Sequence, residues 1–163
     1  MNKKMRLGLL VGAIAAGCAL GADQPGIKDI PDMKAGLWES STMMPASMAK
    51  PMHTTMCTNN AVNRKMYEDS HKSANSPCKN IHSERQGSVI TQEIECNFSG
   101  KVTRSKSITT LTGNTEIHIE TRNPDNTVET AIDMKWAGAC PVGMKLGDVT
   151  GPDGKVMMNA LTP

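Results

Sequence analysis

Cys78-Lys79-Asn80-Ile81-His82-Ser83-Glu84-Arg85-Gln86-Gly87-Ser88-Val89-Ile90-Thr91-Gln92-Glu93-Ile94-Glu95-Cys96 is the stretch whose reading decides the fold. It divides into two strands, Cys78 to Arg85 and Val89 to Cys96, around Gln86-Gly87-Ser88. A three-residue hairpin loop sets Arg85 opposite Val89. Carried outward, that register sets Lys79 opposite Glu95, an opposite-charge pair, and Cys78 opposite Cys96. Directly opposed residues lie about 4.5 to 5.5 Å apart at Cα, which a disulfide can span. Both sulfurs then share a face with Ile90 and Ile94, as a core-side staple requires. A slip of one residue would send the sulfurs to opposite faces.

Four cysteines, Cys57, Cys78, Cys96 and Cys140, occupy the body of the chain, and four allow three connectivities. The hairpin selects Cys78 with Cys96 and leaves Cys57 with Cys140, a long-range bond between the start and the end of the domain. A metal site is the weaker reading of these thiols. No CxxC spacing occurs, and His53, His71, His82 and His118 are scattered rather than paired with the cysteines.

Outward from the hairpin, strand-like patterns cover Leu37 to Met44, His53 to Cys57, Val102 to Leu111, Thr115 to Arg122 and Thr127 to Trp136. In the last of these, Val128, Thr130, Ile132, Met134 and Trp136 alternate with Glu129, Ala131, Asp133 and Lys135, the period of a half-buried strand. Asn60 to Ser70, following a cap at Thr58 or Asn59, reads as one short helix. Gly151-Pro152-Asp153-Gly154 is a turn signal, with Lys155 to Asn159 as a last short strand. The expected fold is mainly β: an antiparallel meander, open or curled into a partial barrel, with one short inserted helix and two disulfides.

The N-terminus has a different character. Lys3, Lys4 and Arg6 precede the apolar run Leu7 to Ala16, the layout of a secretory signal and too short for a membrane span of roughly 20 residues. Leu20-Gly21-Ala22 offers an ordinary cleavage site, making residues 1–22 the signal peptide. Ala15-Ala16-Gly17-Cys18 resembles a lipobox, which would instead remove residues 1–17 and lipidate Cys18. Residues 23–35, punctuated by Pro25, Gly26 and Pro31, read as a linker, and residues 36–163 as a single β-rich domain. Export also accounts for the cysteine usage, since disulfides persist in oxidising compartments.

Three of the 18 basic residues lie in the leader, so the chain beyond it carries 15 against 16 acidic ones. Such near-neutrality, with Trp38, Tyr67, Phe98 and Trp136 as the complete aromatic set, lacks the charge footprint and stacking platform of a nucleic-acid binder. Membrane attachment is expected only through a lipidated Cys18.

Thirteen methionines are many for 163 residues. Met43, Met44, Met48, Met52 and Met56 gather around His53 just before Cys57. Pro45 and Pro51 oppose a continuous helix there and favour a loop between two strands. Thioethers with an imidazole are soft donors suited to Cu(I) or Ag(I). The competing explanation is that flexible methionines fill gaps or form an adaptable binding surface on a sheet poor in aromatics. For catalysis there is neither GxSxG nor HExxH.

In order along the chain, Met33-Lys34-Ala35-Gly36-Leu37-Trp38-Glu39, the Met/Pro-rich stretch, Cys57, the Cys78 and Cys96 hairpin, Gly138-Ala139-Cys140-Pro141, Gly143-Met144 and Gly147-Asp148 resemble a family of exported Gram-negative proteins catalogued as domain of unknown function 3617. Ala139 departs from the proline common there, as does the glycine-rich tail beyond Asp148. The resemblance implies a periplasmic or envelope location and carries no activity, cofactor or functional residue. The expectation is therefore a non-catalytic, disulfide-stapled envelope domain that binds a partner or small molecule and needs no cofactor. Cu(I) binding through the methionine loop is the alternative, and an enzyme the third reading.

Overall fold

The computed structural model describes residues 32–72 and 76–162. The segment read as a signal peptide, Cys18 and most of the segment read as a linker lie outside the described residues. The elements run β1 (Gly36–Met43), β2 (Met52–Thr58), α1 (Asn60–Lys72), β3 (Cys78–Gln86), β4 (Val89–Phe98), β5 (Lys101–Thr112), β6 (Glu116–Arg122), β7 (Val128–Gly138), β8 (Asp148–Thr150) and β9 (Val156–Asn159). Among the described residues the nine strands form one antiparallel sheet in the order β3-β4-β5-β6-β7-β1-β2-β8-β9, and it is open rather than closed into a barrel. The expected meander accounts for β3 to β7. What joins it to the rest is β1, which inserts between β7 and β2.

Both disulfides form as the spacing implied, Cys78 with Cys96 and Cys57 with Cys140. The hairpin reaches that result by a different route. Gln86 faces Val89 and Arg85 faces Ile90, so the turn has two residues, Gly87 and Ser88, and not three. Gly87 comes first in that turn with φ of 59°, a left-handed value that costs glycine little. The register shifts between Asn80 and His82, leaving Ile81 as the extra residue, and beyond it Asn80 faces Ile94, Lys79 faces Glu95 and Cys78 faces Cys96. A shorter turn and a bulge offset one another. The opposite-charge pair forms too, with Lys79 Nζ 3.0 Å from Glu95, whose other oxygen holds Arg104 at 2.9 Å.

The helix begins where a capping residue allows. Asn59 Oδ1 accepts a hydrogen bond from the Val62 backbone N–H at 2.9 Å, satisfying one of the orphan donors of the first turn, so Asn59 rather than Thr58 is the cap. Thr58 is fully buried and spends its hydroxyl on Asn63 Oδ1 at 2.7 Å. The Gly151–Gly154 turn and the strand after it form as expected. The three residues of β8 are too few to show a period, and they become a strand by pairing with β2.

The core is thin. Among the described residues its fully or nearly buried hydrophobics are Trp38, Cys57, Val62, Leu111 and Ile117. Trp38, with no exposed surface, centres a cluster with Leu111 and Ile117, against which Met33, Ile90, Ile119, Met134 and Trp136 pack. The segment before β1 is fastened to the sheet. Trp38 Nε1 donates to the Lys34 carbonyl at 2.8 Å and Trp136 Nε1 donates to the Ala35 carbonyl at 3.0 Å. The Lys34 ammonium lies 3.4 Å from the Trp136 ring centre, a cation–π contact. Residues 32–35, the end of the segment read as a linker, are thus held against the domain. Gly36 makes the close approach possible: its φ is 137°, and a Cβ there would collide with the Gly138 carbonyl and the Trp136 indole nitrogen.

So thin a core leaves much to the disulfides. They close 83 and 18 residues of sequence, for which chain entropy gives about 4.5 and about 3 kcal/mol. Urea unfolding of the double variants Cys57→Ala/Cys140→Ala and Cys78→Ala/Cys96→Ala should therefore show the larger loss for the first pair. Equal midpoints would contradict this assignment of stability.

Candidate functional site

Strand alternation divides the sheet into unlike faces. Trp38, Met56, Trp136, Met134, Ile117 and Leu111 fall on one by their register. The other is polar. Across it, His118 of β6 faces Asp133 of β7, Asp133 faces Ser41 of β1, and Ser41 faces His53 of β2. In the neighbouring row Glu116 faces Lys135, Lys135 faces Glu39, Glu39 faces Thr55, and Thr55 faces Thr150 of β8. These two rows line a groove of about 690 Å³, to which the β8–β9 turn adds Gly151, Pro152 and Gly154.

The ionic groups of the groove are largely paired. His118 Nδ1 lies 2.6 Å from Asp133 Oδ1, and its Nε2 is 3.4 Å from Glu120. The hydrogen bond to Asp133, opposed by partial desolvation and supported by Glu120, raises the His118 pKa above the ordinary imidazole value. Glu120 is in turn lowered, first by its hydrogen bond to Arg122 and then by His118. Lys135 Nζ meets Glu116 at 3.2 Å. The hydroxyls of Thr55 and Thr150 share a hydrogen bond at 2.6 Å. Glu39 has no ion-pair or hydrogen-bond partner for its carboxylate among the described residues.

One wall of the groove depends on Asp148, which is 7% exposed. Its Oδ2 accepts from the Lys145 backbone N–H at 2.8 Å and its Oδ1 from Asn159 Nδ2 at 2.8 Å, so one carboxylate closes a turn and ties β8 to β9. Those bonds, Asn159 first, hold its pKa below the usual carboxylate range. Asp148 thus holds the turn and the strand pairing behind the groove wall, a common use of aspartate in turns.

The methionine loop is divided by the same alternation. Met44 and Met48 sit on a single turn, closed by the Met48 N–H donating to the Met44 carbonyl at 2.9 Å. Met52 and Met56 occupy β2 on the Trp38 face, whereas Met43 and His53 fall on the groove face. His53 thus enters the groove without Met52 and Met56. Among the described residues no three His, Cys, Asp or Glu side chains converge as a metal site. Cys57 and Cys140 are joined 5.5 Å apart at Cα, and Cys78 with Cys96, so the described thiols are committed to structure.

Glu39, Glu116, His118, Asp133 and Lys135 were not singled out by the sequence. Their signal was present as the charged half of alternating strands, which by itself reads as a solvated sheet face. Only the pairing order β6-β7-β1-β2 aligns them into rows.

A family model described as "Protein of unknown function (DUF3617)" matches residues 33–140. The chain belongs to the DUF3617 family. The DUF3617 match begins at Met33, in the segment fastened beneath the two indoles, and ends at Cys140, the second half of the long-range disulfide. It therefore spans the meander, β1, β2 and α1, while β8, β9 and the turn that walls the groove follow it. No curated protein and no solved structure matches the chain.

Because the pair with Asp133 raises the His118 pKa, the pair's contribution to stability is complete below about pH 6.5 and is lost as pH rises through the raised folded value. The contribution is small, since both side chains are substantially exposed. An NMR titration of the His118 ring protons should place its midpoint above 6.5, and Asp133→Asn should lower it. A midpoint unmoved by Asp133→Asn would show that the pair does not form in solution.

Proposed function

We propose that this DUF3617 protein is a non-catalytic binding domain of the cell envelope, which holds a small polar molecule in the groove over β1, β2, β6 and β7. The groove itself carries the reading. Its volume of about 690 Å³ falls within the roughly 300–1,000 Å³ of small-molecule sites, and its lining offers carboxylates, an ammonium, imidazoles and hydroxyls on rigid strands. Rigid elements favour recognition because each group is held at a fixed spacing.

Recognition suits these groups better than catalysis. Both ring nitrogens of His118 face carboxylates, which supports reading the imidazole as a fixed, positively charged part of the groove wall. The envelope location is supported by the two disulfides, which an oxidising compartment preserves, together with the signal-like leader. Attachment to the membrane would follow only from lipidation of Cys18. Soft-metal binding ranks behind, because Met52 and Met56 are separated from His53 and Met43 by the plane of the sheet.

The test is a fragment screen by amide chemical shift on the disulfide-intact protein, run beside Ser41→Trp, which fills the groove. Binders should shift amides of β1, β2, β6 and β7 in the parent and lose most of that response in Ser41→Trp. Shifts confined to the methionine loop, or none at millimolar concentration, would overturn the groove as the binding site.

A further inference from the structure

Charge balance within the groove identifies the class of molecule, an inference that rests on the groove being the binding site. Three carboxylates reach into it, and two are neutralised from within: Glu116 by Lys135 at 3.2 Å and Asp133 by His118 at 2.6 Å. The third, Glu39, is the exception. Its strand neighbours on either side are Lys135 and Thr55, yet the Lys135 ammonium turns to Glu116 instead. No side chain among the described residues pairs with Glu39, which is exposed to water in the wall of the open groove between paired neighbours.

Each kind of ligand would change that balance differently. An anion would meet Glu39, Glu116 and Asp133 together, with Lys135 already engaged, and is repelled. A neutral polyol would take water from Glu39 without supplying a counter-charge, and an unpaired carboxylate resists desolvation. An ammonium or guanidinium group would replace the lost water with a charge-assisted hydrogen bond. Hydroxyls complete the seat. Ser41 follows Glu39 by two residues on the same strand face, and the single hydrogen bond between the Thr55 and Thr150 hydroxyls leaves free lone pairs that can accept from the remaining N–H groups.

We infer that the groove takes an organic cation, a molecule with a primary ammonium or guanidinium group, and that Glu39 is its anchoring carboxylate. Glu116 and Asp133 remain paired with Lys135 and His118 and shape the surrounding field. The recognition is of a compact charged head, with the rest of the molecule lying along the strands toward the β8–β9 turn.

A matched set of four-carbon probes tests this on the disulfide-intact protein: 1,4-diaminobutane, succinate and 1,4-butanediol, each titrated while amide shifts are followed at low ionic strength. The diamine should shift amides of β1, β2 and β7 saturably, and Glu39→Gln should weaken it by roughly tenfold or more, as loss of a charge-assisted hydrogen bond requires. Glu129→Gln, which removes the same charge from β7 outside the groove, should leave the affinity unchanged, and thermal melts should show both variants folded. Succinate or butanediol saturating the same amides while the diamine does not would overturn the cation assignment and leave the groove in place as a site. Equal weakening by both variants would reduce the effect to net charge and overturn the role of Glu39. Silence from all three probes would overturn the cation assignment, and the fragment screen would then decide separately whether the groove binds anything.

Discussion

The indole of Trp38 is the contact on which the rest of the structure depends. It lies near the start of β1, the strand that joins the β3–β7 meander to β2 and, through β2, to β8 and β9. A tryptophan with no exposed surface must satisfy its ring N–H internally, and the Lys34 carbonyl does so. That bond draws the preceding segment over the sheet, where Trp136 of the neighbouring strand secures it, donating to the Ala35 carbonyl and presenting its ring face to the Lys34 ammonium. Burial, the hydrogen bond and the register of β1 against β7 are therefore one constraint. The collision that any side chain at position 36 would meet shows how closely the two strands approach there.

The groove follows from the same arrangement. With one face of the sheet occupied by the few large hydrophobics, the alternation of β1, β6 and β7 directs their charged residues to the other face. Pairing of four consecutive strands then stacks those charges in rows, so that carboxylates and bases meet across strands rather than along them. The Cys57–Cys140 disulfide fixes the end of β2 to the segment after β7, just beyond the rows that line the groove. Stability and a defined polar surface thus come from the same few long-range connections.

Most of the strands were legible because half-buried antiparallel strands alternate, and Val128 to Trp136 does so without interruption. The short helix was legible from Asn59 and the residues after it. The hairpin was legible in its outcome and not in its path: opposed cysteines and opposed charges define the register at one end, while turn length and bulge position depend on backbone geometry near Gly87 and Ile81. An even exchange of one residue between turn and bulge leaves the disulfide unchanged, so no pattern in the side chains distinguishes the two routes. β8 had no signal at all, because three residues cannot show a period and its partner is distant in sequence.

The sequence by itself determined the antiparallel β class, the inserted helix, both disulfides and the family resemblance, since each rests on local period, cap chemistry or the positions of a few rare residues. The tertiary structure alone decided that β1 lies between β7 and β2, that His53 parts from Met52 and Met56, and that Glu39 remains unpaired between Lys135 and Thr55. The physical reason is that a sheet joins residues by lateral hydrogen bonding. Side-chain alternation says which face a residue takes, and only the order and register of the strands say which residues it meets there.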